Sequence, residues 1–350
     1  MDALLKIVLR SADAFLVLDM TSIRYLTGFT GSSGMLFLSR AHRVFMTDFR
    51  YEEQARQEVG EVAKVVISQR GPRSSVRRLV SGLRIARLGF ESSLPFSFYD
   101  FLKGGVSKMV PFEDAVLSIR AVKDEEETAL LRKAVKRAED AFIAVKPRLR
   151  AGMTESSIAM RLGEKIRKLG SRRLPFDIIV ASGPNSSRPH AGATDRKLRP
   201  GDLLTIDWGA EAGGYFSDMT RTFLVKGGRG LQKKKEIYDV VLKANRHAIK
   251  AARAGIGLKA LDNVARSFIE KRGYGERFGH GLGHGVGLDV HELPRISRYS
   301  RGKVRASEVF TIEPGVYVAE LGGVRIEDMV LAGPNGCDVL TSLPRGLETI

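Results

Sequence analysis

The chain of 350 residues has one cysteine, no long apolar run and a deficit of acidic side chains, and each shortage removes a class of protein. With Cys337 as the sole cysteine no intrachain disulfide can form, so the fold rests on its core. No stretch reaches the roughly 20 apolar residues of a membrane-spanning helix. The opening "MDALLKIVLRSADAF" is interrupted by Asp2, Lys6 and Arg10, so it lacks the unbroken apolar centre of a secretion signal. A reducing cytoplasm and no membrane partner are the expectation. Asp and Glu number 40 against 57 Lys and Arg, a net charge of +17. The basic clusters "RGPRSSVRR", "QKKKE" and "RYSRGKVR" are scattered and not interleaved with stacking aromatics, which favours solvated basic faces over a nucleic-acid surface.

What is present is enough apolar material, 43% of residues, for two cores in a chain of this length. Up to about Ser118 the pattern is α/β. "AFLVL", "GMLFL" and "RVFMT" read as strands and "DFRYEEQARQEV" as a helix. "VKDEEETALLRKAVKRAEDAFIAV" then offers Asp124 as N-cap, Glu125 to Glu127 in the first turn and apolar positions at helical spacing, so a long amphipathic helix opens a second domain. Helices near 154–169, 233–253 and 258–272 and strands near 176–181, 203–225 and 308–331 follow. The expected domains are 1–118 and 119–350.

The acids of the second domain sit in strand contexts. "DLLTIDWGAEAGGYFSDMTRTFLV" reads as a hairpin; with Glu211 to Gly214 as its loop, Asp207 falls directly opposite Asp218. Two carboxylates at that spacing repel unless a cation lies between them. Glu313 in "VFTIEPGVYV" and Glu327 in "GGVRIEDMVLA" interrupt β-branched runs joined through a Gly-Gly turn, and Arg325 shares a strand face with Glu327, where it can orient a carboxylate.

"HGLGHGVGLDVHE" concentrates three of the six histidines, His280, His284 and His291, between glycines. In an extended segment the glycines leave one face bare, free to press against another backbone. His280 and His284 would then lie roughly 13 Å apart, too far to ligate one ion together, so one binds and the other works further out. Two Asp, two Glu and one imidazole form an oxygen-rich set suited to Mn, Co, Fe or Zn. They point to two ions about 3.5 to 4 Å apart sharing a hydroxide nucleophile, the chemistry of a hydrolase.

"DWGA", "SDMTRTF", "HGLGHGVGLDVHE", "TIEPGVY" and "GVRIED" resemble, in order and spacing, the pita-bread metallopeptidases (family M24), whose proline-specific branch includes Xaa-Pro aminopeptidase and prolidase. "IRYLTGFTGSSGMLFL" is similar to the creatinase-type N-terminal domain of that branch. The resemblance implies an α/β N-terminal domain of creatinase/prolidase type, a C-terminal pita-bread catalytic domain, two divalent ions with Mn foremost, and a homodimer. It implies Asp207, Asp218, His284, Glu313 and Glu327 as metal ligands and Arg325 behind them. His280 and His291 would stabilise the substrate carbonyl and oxyanion, His190 of "SSRPHA" would stand on the opposite wall, and Glu313 would also shuttle a proton. His190, Phe176 and Tyr299 are candidate walls for a proline ring. The implied substrate is a proline-containing peptide, with the Xaa-Pro aminopeptidase placed first and the Xaa-Pro dipeptidase as the alternative. A non-catalytic pita-bread binding module and a nucleic-acid-associated protein are the readings from other classes.

Overall fold

The computed structural model describes residues 1–69 and 71–350; Arg70, the first residue of the "RGPRSSVRR" cluster, lies outside the described residues. The chain divides into one unit of Met1–Arg120 and another of Ala121–Ile350.

In the first unit, α1 (Asp2–Val8) precedes β1 (Ala14–Val17), and α2 (Met20–Thr27) runs from an Asp19 N-cap to the left-handed Gly28. Next come β2 (Met35–Ser39), β3 (Arg43–Thr47), α3 (Glu52–Val59) and β4 (Lys64–Ile67). After them come α4 (Pro72–Gly82), β5 (Arg87–Glu91), α5 (Phe96–Lys103), β6 (Lys108–Phe112) and α6 (Ala115–Arg120). The strands form one mixed sheet, β4-β3-β2-β1-β5-β6. Its central strand β1 is buried along its whole length, and apolar clusters on Phe15 and Leu16 fill opposite faces, as the period of two requires.

The second unit opens with α7 (Glu125–Val145), where Asp124 and Glu127 form a reciprocal capping box. Then come α8 (Glu155–Lys168), β7 (Ile179–Ser182), β8 (Leu203–Trp208), β9 (Glu211–Ala212), β10 (Tyr215–Phe216) and β11 (Met219–Leu224). A second helix pair, α9 (Gln232–Ala251) and α10 (Leu258–Lys271), leads to β12 (Gly283–Gly285), β13 (Glu292–Ile296) and β14 (Val309–Ile312). The last elements are β15 (Gly315–Val318), β16 (Gly322–Arg325), β17 (Asp328–Ala332) and β18 (Cys337–Val339). They assemble as sheets β11-β8-β7 and β13-β12-β14-β17-β18 with the short pairs β9-β10 and β15-β16. Trp208 anchors β8 to α7: its ring stacks on Phe142 at 4.6 Å and its indole N–H donates to the Ala138 carbonyl at 3.0 Å.

Among the described residues no helix is long and apolar enough to cross a membrane.

Candidate active site

Two hairpins carry the acids, and neither has the geometry expected from the sequence. In the first, Gly213 and Gly214 alone make the turn, both at positive φ (59° and 96°), so Ala212 pairs with Tyr215. That two-residue turn shifts the register by two from the expected loop of Glu211–Gly214. Asp207 therefore faces Thr220, with Asp218 diagonal to it. The carboxylates still approach one cavity because residues two apart share a face.

In the second, Glu313 and Glu327 do not lie inside strands. β14–β17 pairs Ile312 with Asp328, β15–β16 pairs Gly315 with Arg325, and the register is continuous between them. Glu313 and Glu327 are therefore opposed in a shared break of the ladder. Pro314 explains the break: it faces Ile326 and has no N–H to return the long 3.5 Å bond that Ile326 N donates to its carbonyl. The turn of this hairpin is Ala319–Leu321, and the expected Gly-Gly pair, Gly322 and Gly323, belongs to β16.

The glycine-spaced histidine segment presses against backbone. A Cβ on Gly283 would lie 2.0 Å from the Thr311 carbonyl oxygen, and one on Gly285 1.9 Å from that of Leu293. Between His280 and His291 only Gly283–Gly285 is a strand among the described residues, and with a bend at His280 both His280 and His284 lie beside Glu313. His284 Nε2 lies 3.3 Å from Glu313 Oε1 and 3.6 Å from Asp218 Oδ2, while His280 Nδ1 lies 3.9 Å from Glu313 Oε2. The His284 and His291 rings stand 4.3 Å apart.

Asp207, Asp218, His190, His280, His284, His291, Glu313, Arg325 and Glu327 all line one cavity of about 500 Å³, with Phe176, Ile179 and Pro189 on its apolar wall. Tyr299 does not belong to it; the residue is 82% exposed, because the segment after β13 carries it outward. Another cavity, about 570 Å³, is walled by Phe142, Phe223, Leu343 and Ile350 and has no acid–imidazole cluster.

The hydrogen bonds assign protons. His284 Nδ1 lies 3.1 Å from the Gly285 carbonyl, which can only accept, so Nδ1 carries the hydrogen and Nε2 turns its lone pair to the carboxylates. His280 Nδ1 donates likewise to the Gly281 carbonyl at 2.8 Å. Its Nε2 accepts from the Tyr317 hydroxyl at 3.0 Å, and that hydroxyl accepts from Arg325 Nη1 at 3.0 Å. Both nitrogens of His280 are thus engaged, whereas His291 and His190 are exposed at the rim.

Arg325 Nη2 holds Asp207 Oδ2 at 2.6 Å, and its Nε donates at 3.0 Å to the Thr220 hydroxyl, which itself donates to Glu327 Oε2 at 2.7 Å. Thr311 donates to Glu313 Oε1 at 3.2 Å and accepts from His284 N at 3.0 Å. Tyr317, Thr220 and Thr311 were not singled out from sequence. The two threonines had a readable signal, each a strand residue standing two positions from an acid, whereas Tyr317 meets Arg325 only across the β15–β16 pair.

The electrostatics call for cations. Burial, then the charges of Glu327, Asp207 and Glu313, holds the Asp218 carboxyl well above its usual range. Burial with the charges of Glu313 and Asp207 does the same for Glu327, and burial raises Glu313 against the pull of His280 and Arg325. Burial drives His280, His284 and His291 down. Asp207 Oδ1 and Asp218 Oδ1 are buried and find no hydrogen-bond partner among the described residues. Ligand atoms of Asp218, His284 and Glu327 lie within 4.8 Å of one another. Four carboxylates, one outward-facing imidazole lone pair and two orphaned buried oxygens fit divalent metal.

Comparison with known proteins agrees. Metallopeptidase family M24 matches residues 129–334, and the Creatinase/Prolidase N-terminal domain matches residues 6–122. The chain belongs to metallopeptidase family M24. It is an enzyme, with the creatinase-type N-terminal domain and pita-bread catalytic domain of that family. It is 36% identical to an Xaa-Pro dipeptidase of Pyrococcus horikoshii over 96% of this chain and 95% of that one. The solved Xaa-Pro dipeptidase of Bacillus anthracis superposes with a TM-score of 0.95 at 35% identity, covering 100% of this chain and 98% of that one. The X-Pro aminopeptidase of Thermotoga maritima superposes with a TM-score of 0.87 at 38% identity, covering 97% and 98%.

Proposed function

We propose that this M24 peptidase is a dinuclear, manganese-dependent Xaa-Pro dipeptidase of the cytoplasm, working as a homodimer. The observation that carries the reading is the cavity where four carboxylates and His284 converge with buried Asp oxygens unpaired. The full-length likenesses to Xaa-Pro dipeptidases supply the specificity and replace the aminopeptidase, placed first from the sequence, as the leading reading. The aminopeptidase remains the second reading because of the likeness to the Thermotoga maritima enzyme.

Asp207, Asp218, His284, Glu313 and Glu327 would hold the ions. When bound, these polarise the scissile carbonyl and make a nucleophile available at neutral pH. Arg325 holds Asp207 in place through its Nη2, and the Thr220 hydroxyl holds Glu327. Glu313, raised by burial and braced by Thr311, takes up a proton and passes it to the leaving imide nitrogen. His291 and His190, at the rim, donate to the carbonyl, while His280, its nitrogens committed, buttresses Glu313. Phe176, Ile179 and Pro189 offer the proline ring an apolar wall. A dipeptide also presents a carboxylate on its proline, and exposed Arg295, opposite His284 in register, is a cation available to it.

The test is proline release from Gly-Pro and residue release from Arg-Pro-Pro-Gly, after chelation and after adding back Mn. Metal-dependent cleavage of the dipeptide alone is expected. Comparable cleavage of the tetrapeptide would establish the aminopeptidase, and cleavage of neither by the metal-loaded protein would end the proline specificity.

A further inference from the structure

We propose that Asn245, in the middle of α9, is a positioning residue for the metal site, setting the separation of Glu313 and Glu327 by bridging the peptide units that lead into them. This rests on the reading of those glutamates as ligands.

The side chain is fully buried, and its amide nitrogen lies 3.2 Å from the Ile312 carbonyl, 3.2 Å from the Ile326 carbonyl and 3.1 Å from Asp328 Oδ2. Ile312 immediately precedes Glu313, and Ile326 immediately precedes Glu327. The two peptide planes that aim the glutamates therefore converge on one NH₂ group. The break in the ladder creates the need: Pro314 cannot donate to the Ile326 carbonyl, so a buried acceptor would be left unmatched without Asn245.

What lies behind Asn245 makes it a fixed point. Asp328, fully buried, also accepts from Arg221 Nη2 at 2.8 Å, Arg345 Nε at 2.8 Å and the Thr341 hydroxyl at 2.8 Å. Arg221 donates in turn to the carbonyls of Glu327, Leu343 and Pro344. A helix, both strands of the second hairpin and the C-terminal segment are thus tied into one buried polar cluster. Deleting the amide frees the break to open or close, and the glutamates with it.

The experiment titrates the chelated, full-length parent, Asn245→Ala and Asn245→Ser with Mn by calorimetry, checks each for cooperative melting, and records the Mn EPR spectrum. Expected for folded Asn245→Ala is Mn affinity about 10- to 100-fold weaker, a fall in kcat for Gly-Pro at saturating Mn with little change in KM, and loss of the spin-coupled signal of a metal pair. Asn245→Ser keeps a donor and should fall between the two. An isotherm and spectrum of folded Asn245→Ala matching the parent would overturn the role, and failure of both variants to fold would assign Asn245 to folding and overturn it as well. A parent that binds no metal pair would instead bring down the ligand reading itself.

Discussion

The two acid-bearing hairpins are each interrupted beside their acids, yet bring them to one cavity in different arrangements. In the first hairpin the β8–β11 ladder ends at Trp208–Met219 before β9–β10 resumes it, Asp207 lies inside the ladder with Asp218 just beyond its end and diagonal to it, and the clamp is an ionic one, Arg325 on Asp207. In the β14–β17 hairpin the ladder is interrupted, Glu313 and Glu327 are opposed, and the brace is a neutral amide on the backbone. Side chains two residues apart share a strand face, so Asp207 and Asp218, one residue before β11, meet diagonally with neither directly opposed to the other. Two longer glutamates opposed across a ladder need the strands to part locally, and the proline supplies that parting. The histidine segment fits beneath because its glycines replace side chains with backbone contact at Gly283 and Gly285.

The severest way to break the comparison is to remove an acid outright. Asp218→Ala should abolish hydrolysis of Gly-Pro at any Mn concentration with the melting transition retained, because its carboxylate is buried against Glu327, Asp207 and Glu313 and leaves no substitute ligand. Full activity in that variant would end the idea that both hairpins serve one site. Loosening only the ionic clamp should do less: Arg325→Lys loses the fork that reaches Asp207, Thr220 and Tyr317 together, and Mn affinity or turnover should fall about 10- to 100-fold. Parent-like titration and kinetics would show that the first hairpin holds its acids unaided.

The mildest effect is on stability without metal. The folded-state pKa values of Asp218, Glu313 and Glu327 are raised above the usual 3.8 and 4.5. Once the pH passes those usual values the unfolded chain releases protons the folded one still holds, so these acids lower stability progressively as pH rises towards their raised values. The buried histidines, shifted down, act in the opposite direction as the pH rises through their usual 6.5. Asp218→Asn isolates the acids: the melting temperature of the chelated variant minus that of the chelated parent should grow as pH rises from about 4. A difference independent of pH would mean that repulsion does not couple the two hairpins.

Much of the site was legible because its chemistry lies in residue types held at strand or glycine spacing. The nine expected residues line a single cavity. The relative placement of the acids was less legible. Taking Glu211–Gly214 as the loop shifted Asp207 onto Asp218, when two adjacent glycines with positive φ suffice for the turn. Reading Glu313 and Glu327 as strand interior missed that Pro314 removes a ladder donor between them. Tyr299 was an aromatic near the histidines in sequence only.

The amino-acid sequence by itself determined the family, the candidate ligand types, the turn of the first hairpin and the break in the second, since each depends on local covalent chemistry: carboxylates, imidazoles, glycines that accept positive φ, a proline without N–H. Tertiary structure alone decided which groups hold those side chains still. Asn245 reaches the second hairpin from a helix 67 residues before Ile312, and Arg325 reaches Asp207 across 118 residues. Hydrogen bonds of such separation leave no periodic trace, because the partner's position is set by packing and not by its neighbours in the chain.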